Sequence, residues 1–493
     1  MKVLFVDTPP TLEWTPKSHF TKGGRRFPAM SVTGEITYSY LNLQAAAILR
    51  DAGHEVAYID CQAEGVSFPE LAPLVAAQDP DLVVLYVEQI KIHVDRALAD
   101  AVKRVTRARV GFVGPFVTPL GTKVIRETPS ADFAIRGEYD HALLEVVDAL
   151  AEKGHSWTKV EGVSARHPDT GEVAEVGGYR HVPDLDALPF PAYDLIDLTR
   201  YHESVFRRTP AATMITSRGC PYQCIYCWFP QTIYGHKWRA QSPERVVAEM
   251  EHLHRTFGVR EIRVDDDIFE LNRQRVMDVC RLLEEKNLDL TWAPQCRPDR
   301  MDQEMLLAMK RAGCSRVLYG CESASQEILD KMRKNGKVED IEKATRWTKE
   351  AGIDVHNCFI IGFPWDTTET VEETIEYAYN LNAEFCQFGI ATPLPGTQLM
   401  EIVEREGNLV SHEDWSQHDG FSKSAVSYEN AANGHGLTQA AIEHYATQAY
   451  REYYLRPQYV GMMLRRAFRS RDDFAQTMRL GKAFLRRKAL GWI

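Results

Sequence analysis

From residue 1 to about 150 the chain alternates short, almost wholly apolar runs with stretches of helical period. "KVLFVDTP" is an apolar run closed by proline. "YLNLQAAAILRDAG" repeats its apolar residues at helical spacing and stops at glycine, and "HEVAYIDC" returns to a strand. The rhythm continues through "DLVVLYV", a helix in "VDRALADAVKRV", then "RVGFVG", "ADFAIRGE" and the helical "HALLEVVDAL". Strands that are apolar on both faces and separated by helices pair in parallel, because the helices then cover both faces of the sheet. An α/β fold with a doubly wound, Rossmann-like parallel sheet is therefore expected over residues 1–150. Such sheets take ligands at the carboxyl ends of their strands. Those ends are Thr8, Pro9 and Pro10; Tyr86, Val87, Glu88 and Gln89; Gly114 through Val117 to Thr118; and Gly137 with Glu138.

Residues 151–205 read as a linker, with a small hairpin in "SARHPDTGEVAEVGGYRHVPD" and a proline-punctuated stretch in "LPFPAYDLIDL". Over residues 206–400 the strand–helix rhythm resumes. Its strands are "AATMITSRG", "EIRVDDD", "LTWAPQC", "SRVLYGCE", "DVHNCFIIG" and "FCQFGIAT". One intervening helix, "SPERVVAEMEHLHRTFG", has Ser242 as cap and Pro243 at its first position. Six such units predict a partial (β/α)6 barrel of the TIM type, with its chemistry at the carboxyl ends of the strands. Residues 401–493 are expected to form a helical region ending in a basic tail.

A chain of 493 residues divides into two or three domains, and 44% hydrophobic residues suffice for their cores. No run reaches the ~20 apolar residues that span a bilayer. The apolar part of "MKVLFVDTPP" is too short for a signal peptide and reads as a first strand. Cys61, Cys280, Cys296, Cys314, Cys358 and Cys386 are scattered singly, which suits a reduced, cytoplasmic protein. The net charge of −11 is uneven: Arg456 to Ile493 holds ten Lys and Arg against two Asp. The acidic body has no nucleic-acid signature, whereas the tail suits an acidic surface.

The stretch "TSRGCPYQCIYCWFPQ" places Cys220, Cys224 and Cys227 at C-x3-C-x2-C spacing, just after the first barrel strand. Zinc in a closed structural site would need a fourth ligand, for which His236 is a candidate, and catalytic zinc would add water. An iron–sulfur cube would use three thiolates and leave one iron open to a small ligand. Three buried structural thiols are the plainest alternative.

The triplet, with Tyr226 just before its last cysteine, resembles the signature of radical S-adenosylmethionine (radical SAM) enzymes. The resemblance implies that Cys220, Cys224 and Cys227 bind a [4Fe–4S] cluster whose open iron takes the amino and carboxylate groups of SAM. One electron, from a donor such as flavodoxin or ferredoxin, then gives a 5′-deoxyadenosyl radical that abstracts hydrogen from an unactivated carbon. It also implies roles for later strand ends. Asp265, Asp266 and Asp267 stand where the family binds the SAM amino group, although its commoner motif is Gly-Gly-Glu. Arg297 is placed for the SAM carboxylate, Glu322 and Ser323 for the ribose, and Ile361, Gly362 and Phe363 for the adenine. Thr392 to Thr397 close the rim.

A doubly wound domain ahead of this barrel resembles the cobalamin (B12)-binding class of radical SAM enzymes. The phrase carrying the likeness is "FVGPFVTPLGTKVIRETPSADFAIRGE". No Asp-x-His-x-x-Gly motif is present, so the resemblance implies cobalamin held without a histidine on cobalt, against the strand ends named above. The frame "CWFPQTIYGHKWRAQSPERVVAEM" is similar to members acting on hydrophobic molecules, the hopanoid ring-contraction and anaerobic magnesium-protoporphyrin ester cyclase types. The expected reaction is C-methylation of a natural product or lipid; ring contraction, cyclisation or rearrangement is the alternative, and a zinc- or cobalamin-binding protein without activity is the third. Tyr234, His236, Glu322, Asp366, His412 and His418 form the pool of bases. The tail mixes basic and apolar residues at helical spacing. It reads either as a peripheral membrane contact or as a helical pair covering the barrel.

Overall fold

The computed structural model describes the chain except residues 17–20, 24–28, 32–34, 153–154, 204, 413, 430–435 and 490–493. Two sheets organise it. The first comprises β1 (Lys2–Asp7), β2 (Glu55–Asp60), β3 (Leu82–Tyr86), β4 (Arg109–Val113), β5 (Phe133–Ile135), β6 (Val163–Arg166) and β7 (Val173–Glu175), in the order β2-β1-β3-β4-β5-β6-β7. The first five strands pair in parallel. Val3, Leu4, Phe5 and Val6 are wholly buried, as strands packed on both faces require. The hairpin expected near residue 165 forms, and it also adds to the sheet: β6 pairs antiparallel with β5, setting Ala165 opposite Phe133. Val163 and Ala165 thereby cover an edge that would otherwise be open.

The second sheet runs β8 (Ala211–Met214), β9 (Glu261–Val264), β10 (Thr291–Cys296), β11 (Arg316–Glu322), β12 (Asp354–Ile361) and β13 (Phe385–Ile390), in chain order and parallel throughout. The result is a partial barrel. Between its first two strands, Ser242 accepts a hydrogen bond from the Arg245 N–H and starts the helix Pro243–Phe257. A register shift between Gly320 and Glu322 ends β11 and leaves Glu322 at φ +68°.

Aromatic hydroxyls tie the sheets together. Tyr38 bonds the Thr213 backbone at 2.7 Å, and Tyr40 and Tyr193 both donate to a buried Glu249 oxygen. The helix Gln439–Leu455 lies on β13, with Tyr454 donating to the Cys386 carbonyl at 2.6 Å. Two further helices, Pro457–Ala467 and Arg471–Ala489, cover the amino-terminal end of the barrel. There Arg466 reaches Asp354 at the start of β12. The last residues of the basic tail, 490–493, lie outside the described residues. Among the described residues no helix is long and apolar enough to cross a membrane, and all ten cysteines are free.

Candidate active site

The three cysteines sit on the loop between the Ser217–Arg218 strand and the short helix Trp228–Thr232, at the carboxyl end of β8. Gly219 begins the loop at φ +87°, and a Cβ there would lie 2.4 Å from the Lys237 carbonyl, so only glycine fits. Its N–H donates to Asp267 at 2.9 Å. Four residues beyond Cys227, the Gln231 amide donates to the carbonyls of Cys224, Ile225 and Cys227 at 3.2, 3.1 and 2.8 Å. Its oxygen accepts from the Gln398 N–H. One side chain thus gathers three carbonyls of the loop, and nothing in the sequence motif announces it.

His236, the candidate fourth zinc ligand, holds the Cys220 carbonyl at 3.0 Å through its Nδ1. Among the described residues the three sulfurs do not form a group close enough to share one metal ion. The described residues bring only His155, His167 and Asp169 together that closely, on the exterior of the first domain. Burial pushes the Cys220 thiol up to about 12, so a thiolate there needs a cationic partner. Three cysteines on one loop are the donor set that an iron–sulfur cube with one open iron uses.

Around the loop the strand ends divide into two groups. Arg297, after β10, lays its guanidinium 3.6 Å over the Tyr222 ring of the loop and bonds Asp299 and the Lys334 carbonyl. Tyr226 packs edge-on to Phe363 at 5.5 Å. Glu322 accepts from the buried Lys334 ammonium at 2.6 Å, and that ammonium lies 3.5 Å from the Tyr226 hydroxyl. Gly362 takes φ +92° against Ile442, and its N–H and that of Phe363 donate to Asp366. Asp265 and Ile361 are buried beside them.

The other group has different work from that expected. Asp266 accepts from the Thr216 N–H and hydroxyl and from the Ser217 hydroxyl, so it shapes the approach to the loop. Asp267 accepts from the Gly219 N–H, next to Cys220. Ser323, expected at the ribose, accepts from the Ser325 N–H and bonds Thr374. Glu138, expected at the corrin, accepts from Arg218, Arg239 and the Val182 N–H. With Asp140, which bonds Arg218 at 2.8 and 3.0 Å, it clamps the cysteine loop to the end of β5.

The remaining ends of the first sheet face the same region. Thr8, beside buried Pro9, bonds Asp95 at 2.6 Å and Lys91 at 2.9 Å. Thr8, Tyr86, Glu88 and Lys91 line a shared pocket. Val87 donates its N–H to Val113, and Gly114 sits at φ +113° where a Cβ would meet the Val87 carbonyl at 3.0 Å. Thr118 bridges the Gly114 carbonyl and the Gly137 N–H, with Val117 buried beside it. Gln89 is wholly buried, and among the described residues neither end of its amide has a hydrogen-bond partner. A buried orphan amide can be met by an ordered water or by a polar ligand, and the amide-fringed corrin ring of cobalamin is a ligand of that kind. Trp415, from beyond the barrel, packs on Phe116 at 5.2 Å and on His418 at 4.8 Å, closing this side.

Inside the barrel, Arg263, Gln295, Arg316, His356 and Gln387 line a second pocket. Among the described residues the buried His356 Nδ1 has no hydrogen-bond partner.

A family model of the radical SAM superfamily matches residues 214–378, and one of the B12 binding domain matches residues 34–147. The chain is 31% identical over 433 residues to an uncharacterized methyltransferase of Pyrococcus horikoshii, covering 86% of this chain and 91% of that protein. It is 27% identical over 375 residues to the anaerobic magnesium-protoporphyrin IX monomethyl ester cyclase of Cereibacter sphaeroides, covering 75% of this chain and 60% of the cyclase. In fold it is similar to the radical S-adenosylmethionine methyltransferase TsrM from Kitasatospora setae, with a TM-score of 0.68 at 20% identity over 93% of this chain and 89% of that one.

Proposed function

Because the chain belongs to the radical SAM superfamily and carries a B12-binding domain ahead of the radical SAM domain, we propose that it is a cobalamin-dependent methyltransferase acting on an unactivated carbon of a small molecule. When bound, the cluster and SAM supply a 5′-deoxyadenosyl radical and cobalamin supplies the methyl group. The chain's own contribution is placement. Cys220, Cys224 and Cys227 would hold the cluster, Arg297 and Asp267 flank the position SAM would take, and the ends of β1, β3 and β4 would hold the corrin.

The observation that carries this reading is the buried clamp of Arg218 and Arg239 on Glu138 and Asp140. It sets the radical-forming loop against the strand ends of the B12 sheet, so both cofactors would open on one space. Breaking such a pair by removing one partner leaves an uncompensated buried charge, which keeps the arrangement rigid.

The polar cavity within the barrel supports a natural-product substrate with hydrogen-bonding groups over a bare hydrocarbon. The partners in this reading are that substrate and a low-potential donor such as flavodoxin or ferredoxin. A cytoplasmic setting suits both, and any membrane contact is peripheral.

The likeness to the ester cyclase favours a second reading, radical cyclisation without methyl transfer. Anaerobic turnover with methyl-labelled SAM and a metabolite extract separates the two. Label entering a new product supports methylation; 5′-deoxyadenosine formed with a new, unlabelled product supports cyclisation.

A further inference from the structure

The two helices that end the described chain, Pro457–Ala467 and Arg471–Ala489, pack against each other and against the barrel. Their inner side is satisfied: Tyr459, Met463 and Arg466 are buried, and Asp473 pairs with Arg207 at 2.8 Å. The outer side is not. Val460, Leu464 and Phe468 follow at four-residue intervals, and Phe474, Met478 and Leu485 lie at intervals of four and seven, each set on one helical face. All six are exposed, Phe468 at 85% and Leu485 at 66%. A lone exposed leucine needs no explanation, whereas rows of large apolar side chains on adjacent helices mark an interaction surface.

The charge around these rows has one sign. Arg465, Arg469, Arg471, Arg479 and Lys482 are exposed. The two acids of the same segment are taken by cations of the body, Asp472 by Arg208 and Asp473 by Arg207. This surface belongs to a chain with a net charge of −11, so it stands apart from the rest of the molecule.

We propose that the outer face of this helical pair docks on an anionic phospholipid bilayer. The apolar rows would enter the boundary between headgroups and acyl chains while the arginines meet lipid phosphates. A second copy of the chain suits the face less well, because a symmetric pairing would bring its like-charged arginines together. Nucleic acid would meet the cations and leave the apolar rows in water. The proposal rests on neither the cofactors nor the methyltransferase reading.

Flotation of the full chain with vesicles tests it directly, using pure phosphatidylcholine and phosphatidylcholine with about a third phosphatidylglycerol. The chain is expected to float with the anionic vesicles, to remain below with the neutral ones, and to detach at ~0.5 M salt. Two variant sets probe the two ingredients: L464S/F468S/F474S/M478S, and R465E/R471E/K482E. Each is expected to lower partitioning at least about tenfold while leaving the melting temperature in place, since the substituted side chains are exposed. Failure of the wild-type chain to float with anionic vesicles overturns the proposal, as does undiminished flotation of both sets. A concentration-dependent dimer in sedimentation that the serine set dissolves, with no flotation, would assign the face to a second copy instead.

Discussion

Lys334 sets its ammonium 2.6 Å from Glu322 and 3.5 Å from the Tyr226 hydroxyl, directly behind the cysteine loop. The lysine is buried, and Glu322 holds a left-handed backbone conformation that few non-glycine residues adopt. Replacing Lys334 by methionine leaves Glu322 charged and unpaired, so a loss of about 3–5 kcal/mol in unfolding free energy is expected. The double variant K334M/E322L is expected to lose distinctly less, because it buries no orphan charge. Chemical denaturation of the two variants checks this.

Cys220, Cys224 and Cys227 each replaced by serine are expected to give chains that fold with unchanged melting temperature before reconstitution. Reconstituted anaerobically, each should hold little iron and form no 5′-deoxyadenosine. Iron analysis and product chromatography read the outcome.

Gln231 is expected to govern how firmly the loop keeps its cluster. The Q231L variant removes three hydrogen bonds to loop carbonyls and should release iron to a chelator about tenfold faster, in the range that outer-shell changes cost metal sites.

Gln89 offers a test with opposed readouts. Its buried amide has no partner among the described residues, so Q89L is expected to raise the stability of the cofactor-free chain by about 1 kcal/mol and to weaken cobalamin binding by about tenfold. Thermal unfolding and cobalamin titration measure the two effects separately.

His418 is buried with its Nδ1 on the Pro393 carbonyl, and burial pulls its pKa from 6.5 down to about 4. A depressed folded value means that the unfolded chain binds the proton first as pH falls. Stability from this residue is therefore full above pH 6.5 and drains away towards pH 4, by on the order of 3 kcal/mol. Burial also drives His356 well below its ordinary value, which acts in the same direction. The unfolding free energy of H418F should fall less steeply than that of the wild-type chain between those limits.

Much of this architecture is legible in the residues, and the legible part has a common cause. Most barrel strands are short local runs rich in apolar residues, and the cysteine triplet is a local spacing, so short windows carry both. The functional contacts that escape sequence reading span the chain. Arg218 meets Asp140 from 78 positions away, and Asp266 turns back 50 positions to Thr216. Nothing near Glu138 or Asp266 shows that a distant partner will occupy its carboxylate, which is why both look like ligand-binding candidates in sequence. Lys334 sits in the hydrophilic run "KMRKNGK", indistinguishable there from a solvated lysine. Gln231 lies close enough to Cys227 to be noticed, yet its grip on three carbonyls depends on the loop's own curl. The hairpin at β6 and β7 is visible as a hairpin, but its attachment to the edge of β5 is a tertiary choice.

The most direct test of the account is metal analysis with electron paramagnetic resonance on the anaerobically reconstituted chain loaded with cobalamin. The expected result is about four irons and about one cobalt per chain, with a reduced-cube signal after dithionite that changes shape when SAM is added. Cobalt bound without iron, or iron that never yields a cube signal in the wild-type chain, would contradict it.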